Sequence, residues 1–171
     1  MTDGKERPGA SVAALVRRAV PEDIPGIRRI EEQCFRTPWS EQLLRDMLES
    51  PLDLVWVAVP QCRGAEDAAG AGPDAGLPAG YLDFRAVAGE GELMRIAVLP
   101  EFRRYGIAGQ LMRQMISAAD AMGISDITLE VRESNTAARS LYAQFGFAGE
   151  AVRRNYYDNP QENAVIEWRR S

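Results

Sequence analysis

The stretch that most restricts this 171-residue chain runs from Val98 to Gly109, with the order Val98-Leu99-Pro100-Glu101-Phe102-Arg103-Arg104-Tyr105-Gly106-Ile107-Ala108-Gly109. An apolar strand-like run ends at Val98, and apolar residues at helical spacing begin at Ile107, so a strand passes into a helix across one short turn. The first amides of a helix have no partner within it and point outward. The helix dipole makes that end positive. Gly106, Ala108 and Gly109 let a ligand approach the backbone closely, and Arg103 and Arg104 add two full charges beside it. The segment Arg103, Arg104, Tyr105, Gly106, Ile107, Ala108, Gly109 therefore reads as an anion cradle suited to a pyrophosphate. It lacks the Lys-Ser or Lys-Thr of a P-loop, and it does not carry the Gly-x-Gly-x-x-Gly that opens a Rossmann unit. The plain alternative is a helix start with two solvated arginines.

The rest of the chain supplies the elements around this turn. Leu15, Val16, Ala19 and Val20 suggest a first strand, ended by Pro21. Pro21-Glu22-Asp23 starts a helix with Ile24, Ile27, Ile30 and Phe35 on its apolar face. After Thr37-Pro38-Trp39, Ser40 caps a second helix whose stripe is Leu43, Leu44, Met47 and Leu48. Strands follow at Leu54 to Val59, Tyr81 to Val87 and Glu92 to Val98, the last with Met94, Ile96 and Val98 on one face. A long helix covers Gly106 to Met122, with Ile107, Leu111, Met115, Ala118 and Met122 as its stripe, and Gly123 closes it. Ile127, Leu129 and Val131 alternate with Thr128 and Glu130 in a further strand. Asn135 to Phe145 is a helix closed by Gly146, and Phe147 to Tyr156 with Ala164 to Arg169 forms a final hairpin around Asp158-Asn159-Pro160. The order β-α-α-β-β-β-α-β-α-β-β predicts an α/β (α+β) domain: a mixed, mostly antiparallel central sheet with helices on both faces. Residues 1–11 read as a flexible leader, 12–171 as a single domain, and the Ala/Gly/Pro-rich 60–80 segment as a flexible loop inside it.

Composition narrows the chemistry. The chain contains no histidine, which removes imidazole bases, Ser-His-Asp and Cys-His nucleophile systems and every histidine-ligated metal site. Its two cysteines, Cys34 and Cys62, are far apart and form no ligand cluster, so no metal is expected and both read as free thiols of a reducing cytosol. A net charge of −5 argues against a nucleic-acid face and suits a basic partner. No run is long and apolar enough for a membrane helix, and the polar, charged first residues are not a secretory signal.

Arg103 to Ala108 matches the pattern Arg/Gln-x-x-Gly-x-Gly/Ala and resembles the acetyl-CoA loop of the GCN5-related N-acetyltransferases. The strand-loop-helix-strand-helix order from Glu92 to Phe145 is that superfamily's core. Pro38-Trp39-Ser40, Ile96-Ala97-Val98, Leu129-Glu130-Val131-Arg132, Ser134-Asn135, Leu141-Tyr142, Gly146-Phe147 and Arg153-Arg154-Asn155-Tyr156-Tyr157 are similar to its ribosomal-protein-alanine acetyltransferase (RimI-type) branch. These pieces occur in the family's order from Val16 to Trp168. Ala108 stands where the family often has a second glycine, and the long insertion after Pro60 departs from its pattern.

The resemblance implies the roles that follow. Ile96, Ala97 and Val98 would pair with the pantetheine arm of acetyl-CoA, along an edge opened by a β-bulge that the sequence itself does not show. Arg103 to Gly109 would hold the pyrophosphate, and Asn135 would contact acetyl-CoA as well as cap its helix. Acetyl transfer to an amine needs a base for the amine, polarisation of the thioester and a proton for the leaving thiolate. The family's general-base glutamate maps onto Glu130, with Glu31, Glu32 and Glu133 as competitors on a helix face and a loop, and its proton donor maps onto Tyr142. Trp39, Tyr156 and Tyr157 would flank a peptide groove, where carboxylates such as Glu31, Glu32 and Asp158 would meet basic residues. The expected activity is cytoplasmic transfer of acetyl to the N-terminal alanine of a basic small-subunit ribosomal protein. The rivals are a lysine or small-amine acetyltransferase and a non-catalytic acyl-CoA-binding module.

Overall fold

The computed structural model describes residues 13–61 and 76–170. The leader and most of the 60–80 insertion, with Cys62, lie outside the described residues. Described parts of the insertion are tied down: Pro60 pairs with Ala14, and the Ala79 N–H donates to Ala58 O at 2.9 Å.

The elements follow the expected order. They are β1 (Ala14–Arg18), α1 (Ile24–Cys34), α2 (Glu41–Glu49), β2 (Asp53–Pro60), β3 (Gly80–Val87), β4 (Glu90–Val98), α3 (Ile107–Ala121), β5 (Ile127–Arg132), α4 (Thr136–Gln144), β6 (Ala148–Asp158) and β7 (Gln161–Arg169). Among the described residues the strands form one seven-stranded sheet in the order β1-β2-β3-β4-β5-β7-β6. Its neighbours are antiparallel except β4 and β5.

Both faces of the sheet are covered, so the central strands carry apolar residues in either direction. Ile27, Ile30, Leu44 and Met47 of α1 and α2 pack on Val55, Val57, Tyr81 and Ala97. Ile107, Leu111, Met112, Met115 and Ala119 of α3, with Tyr142 of α4, pack on Trp56, Leu82, Phe84, Leu129 and Val131. Each such aliphatic side chain contributes about 1.5–3 kcal/mol by leaving water.

Local details depart from the expected pattern. Pro21–Asp23 forms a 3-10 turn, and α1 begins at Ile24. The Asp23 carboxylate turns back to accept from Val20 N at 2.9 Å and from both terminal nitrogens of Arg17. Ser40 caps α2 as expected, its hydroxyl accepting from Leu43 N at 3.2 Å. Leu43 and Met122 are exposed, and the buried stripe of α3 passes through Met112 and Ala119. On β4, Phe84 pairs with Leu93 while Asp83 pairs with Arg95, so Met94 is the extra residue of a bulge. The bulge sends Leu93, Ile96 and Val98 to the α3 side and Ala97 to the α1 side, breaking the even alternation expected from Met94 onward.

Candidate active site

Parallel pairing between β4 and β5 covers Gly91 with Ile127, Glu92 with Thr128 and Leu93 with Leu129. Beyond that point the bulge at Met94 turns β4 away and the strands diverge. The Leu99 N–H donates to Ala79 O at 2.8 Å, on the β3 side. Since backbone groups alternate along a strand, Ala97 and Arg95 also face β3, and Ile96 and Val98 face the opening. The Val98 carbonyl agrees with this: it accepts from Arg103 Nε at 3.0 Å and lies 3.4 Å from Cys34 Sγ. The opening is an unpaired strand edge able to receive an extended, amide-bearing ligand.

The turn into α3 lies at the end of that edge. Gly106 precedes the helix at φ +80°, where among the described residues a Cβ would meet nothing within 4 Å beyond its chain neighbours and its own helix backbone, and Arg104 has φ +65°. The first intrahelical bond runs from Gln110 N to Gly106 O at 3.1 Å, so the Ile107, Ala108 and Gly109 amides are free of the helix ladder. Tyr105 and Arg104 are exposed. The Arg103 guanidinium is bent back onto Val98 O and Cys34, a contact that joins the turn to the open edge.

Glu130 stands on β5 opposite Ile166 and points to the α1 side, because Leu129 and Val131 are buried on the α3 side. Its side chain is 23% exposed, and Oε1 lies 2.8 Å from Arg153 Nη1. The Tyr156 hydroxyl bonds the same carboxylate, which, ahead of burial, raises that phenol's pKa. Tyr157 is also raised, by burial first and by Glu130 second. Tyr142 lies under the opposite face, buried beside Phe147. Burial, then Glu167 and Tyr157, lift it well above an ordinary phenol, so it stays protonated at neutral pH. Asn135 caps α4, its Oδ1 accepting from Ala138 N at 3.1 Å.

The flanks of the opening meet at Arg36, whose Nη1 donates to Asn159 O at 3.2 Å and links the α1–α2 segment to the β6–β7 turn. Glu31 is not available to a substrate. Its fully buried carboxylate accepts from Trp39 N at 2.7 Å, the Tyr81 hydroxyl and Arg95, whose guanidinium lies between the Phe35 and Trp39 rings. The expectation that Glu31 faces basic peptide residues is corrected accordingly: it secures the α1–α2 segment from within. Glu32 pairs with Arg28 at 3.0 Å, and Glu133 accepts from Asn163. Two surface depressions, of about 450 and 310 Å³, lie elsewhere and include none of Glu130, Tyr142 or the Arg103–Gly109 turn. The opening is a divergent strand edge rather than an enclosed cavity.

The acetyltransferase (GNAT) family matches residues 24–147. The [ribosomal protein bS18]-alanine N-acetyltransferase of Salmonella typhimurium is 32% identical over 147 residues, covering 84% of this chain and 88% of the relative. The crystal structure of the ribosomal-protein-S18-alanine N-acetyltransferase from Escherichia coli superposes with a TM-score of 0.77 at 27% identity, covering 92% of this chain and 94% of that one. Arabidopsis thaliana NAA60 in complex with acetyl-CoA shares the fold, with a TM-score of 0.80 at 14% identity over 91% of this chain and 97% of that one. With its interrupted β4–β5 pairing and a glycine turn opening the helix beside it, this chain belongs to the acetyltransferase (GNAT) family.

Proposed function

We propose that this chain transfers the acetyl group of acetyl-CoA to the N-terminal alanine of a basic small-subunit ribosomal protein in the cytoplasm, through residues 12–171 acting as one domain. The observation that carries the reading is the gap beyond Leu93 and Leu129, with Glu130 on one side and the free amides of α3 at its end. The activity for which the relatives are named, acetylation of the alanine of ribosomal protein bS18, supports the acceptor class.

In this reading Ile96 and Val98 pair with the amide-bearing arm of the donor, the Ile107, Ala108 and Gly109 amides with Arg104 bind its phosphates, and Asn135 borders it. Arg103 steadies the Val98 carbonyl. Glu130, through water, takes the proton of the acceptor ammonium, whose reference pKa of about 7.7–8.0 demands only a modest base. The amine nitrogen then bonds to the thioester carbon, the carbon–sulfur bond breaks, and the nitrogen releases its second proton to solvent. Tyr142 gives its proton to the departing thiolate and recovers one from solvent. No acetyl-enzyme is required.

Intact-mass spectrometry of ribosomal proteins from cells with and without the gene tests the acceptor. One small-subunit protein should lose an N-terminal acetyl group in the deletion. Unchanged masses, or activity only toward lysines of Nα-acetylated peptides, would overturn the assignment.

A further inference from the structure

β6 carries a second irregularity. Arg153 pairs with Ala164 and Tyr157 with Glu162, so residues 154–156 span the single Asn163. Asn155 takes φ +52°, its N–H donates to Asn163 Oδ1 at 3.0 Å, and Asn163 Nδ2 donates to Glu133. In an unbroken strand, side chains three apart point to opposite faces. Here both Arg153 and Tyr156 reach the Glu130 carboxylate. The neighbouring cation, Arg132, is committed to Glu162 and to the Tyr157 ring, so Arg153 is the one that ion-pairs with Glu130. The contact is a single N···O approach, and the Arg153 side chain is 54% exposed; exposed pairs of this kind are weak.

We propose that Arg153 is a positioning residue that stands in for the acceptor's terminal ammonium, holding the Glu130 carboxylate in place until a cationic α-amine displaces it. The inference rests on Glu130 as the acceptor-side carboxylate. The competition favours an acceptor whose charge sits at its reacting nitrogen. A chain that reaches the gap with no ammonium does not dislodge the guanidinium.

Calorimetry with an alanine-initiated, arginine-containing peptide, in the presence of CoA, tests this without turnover. Arg153→Ala should tighten the peptide roughly 2–5-fold, the scale of an exposed ion pair, and leave CoA affinity unchanged. Arg153→Lys should restore wild-type affinity, since one nitrogen suffices for the contact. The Nα-acetylated peptide should respond to neither change, and Arg153→Ala should have no effect in a Glu130→Gln background. Equal tightening of the acetylated peptide, or in the Glu130→Gln background, would mean that Arg153 merely repels a basic chain, and would overturn the proposal; so would unchanged or weaker binding. Wild-type kcat in Glu130→Gln alone would remove the base and leave this binding cycle intact, which separates the two failures.

Discussion

Leu93 and Leu129 are the last residues at which β4 and β5 pair. Past them Ile96 and Val98 on one strand and Glu130 on the other border a gap. The proposed donor edge, the proposed base and the proposed acid are held by different elements around it, so each can be perturbed separately.

Glu130→Gln should lower kcat by roughly 10²–10⁴-fold, as for loss of a general base, while CoA affinity is spared because the residue lies across the gap from the α3 turn. Steady-state kinetics across pH 6–9, paired with calorimetry for CoA, measures both. Wild-type turnover throughout that range would remove Glu130 from its role.

Tyr142→Phe should also reduce kcat by about 10²-fold or more. Burial, followed by Glu167 and Tyr157, holds the wild-type phenol above its ordinary range. It therefore stays protonated up to at least pH ~10, and the variant and wild type should share the same alkaline profile below that. An alkaline loss near pH 9 in wild type that is absent from the variant would contradict this.

Cys34→Ala should keep most activity. Burial pushes the Cys34 thiol up, and the Arg103 guanidinium only partly opposes this, so little thiolate is present at neutral pH. Loss of all turnover in the variant, or an acetylated Cys34 peptide after mixing with acetyl-CoA, would require an acetyl-enzyme.

Alanine at both Arg103 and Arg104 should weaken CoA by roughly tenfold at low salt, the scale of one charge-assisted hydrogen bond, and by less at high salt, where charges are screened. Because Arg103 braces Val98 O at 3.0 Å, Arg103→Ala alone should weaken dephosphorylated pantetheine as well as CoA, whereas Arg104→Ala should affect only the phosphorylated ligand. Identical affinities for wild type and the double variant would refute the cradle.

Asp83 sets a pH dependence of stability. Its side chain is buried on β3, and Oδ1 has no hydrogen-bond partner among the described residues. Burial first, then Asp53, raise it to about 7, with Arg85 and Arg95 opposing and Glu92 assisting. The unfolded value is about 3.9, so between pH ~4 and 7 the folded chain holds a proton that the unfolded chain has released. That contribution is complete below pH ~4 and is lost as pH rises through 7. Asp83→Asn should therefore exceed wild-type stability by about 1–3 kcal/mol at pH 8, with the advantage fading toward pH 4. Asp23, which Arg17 and the Val20 amide hold low against burial, acts in the opposite sense in both proteins and cancels in the difference. Urea denaturation at several pH values measures it.

Much of the molecule is legible from neighbours in the chain. Element order, the Ser40 and Asn135 caps, the Gly106 turn and the placement of Glu130 on the face of β5 opposite Leu129 and Val131 follow from periodicity and from residues whose backbone preferences act within a turn or two. Helix stripes were legible only approximately, since Leu43 and Met122 continue the apolar pattern onto surface that no strand covers.

What the tertiary structure alone decided are relations between residues far apart in sequence. Parallel pairing stops at Leu93 because Met94 is skipped against β3, and no local pattern marks that residue. Glu31 looks like a surface carboxylate in the sequence, yet Tyr81, Arg95 and the Trp39 amide, brought together by the sheet and the α1–α2 segment, surround it completely. Arg153 meets Glu130 only because β7 lies between β5 and β6, with Glu130 opposite Ile166 and Arg153 opposite Ala164 on one face. Propensity and periodicity are short-range properties of the chain; register, bulges and charge partners are settled by which distant strands pack side by side.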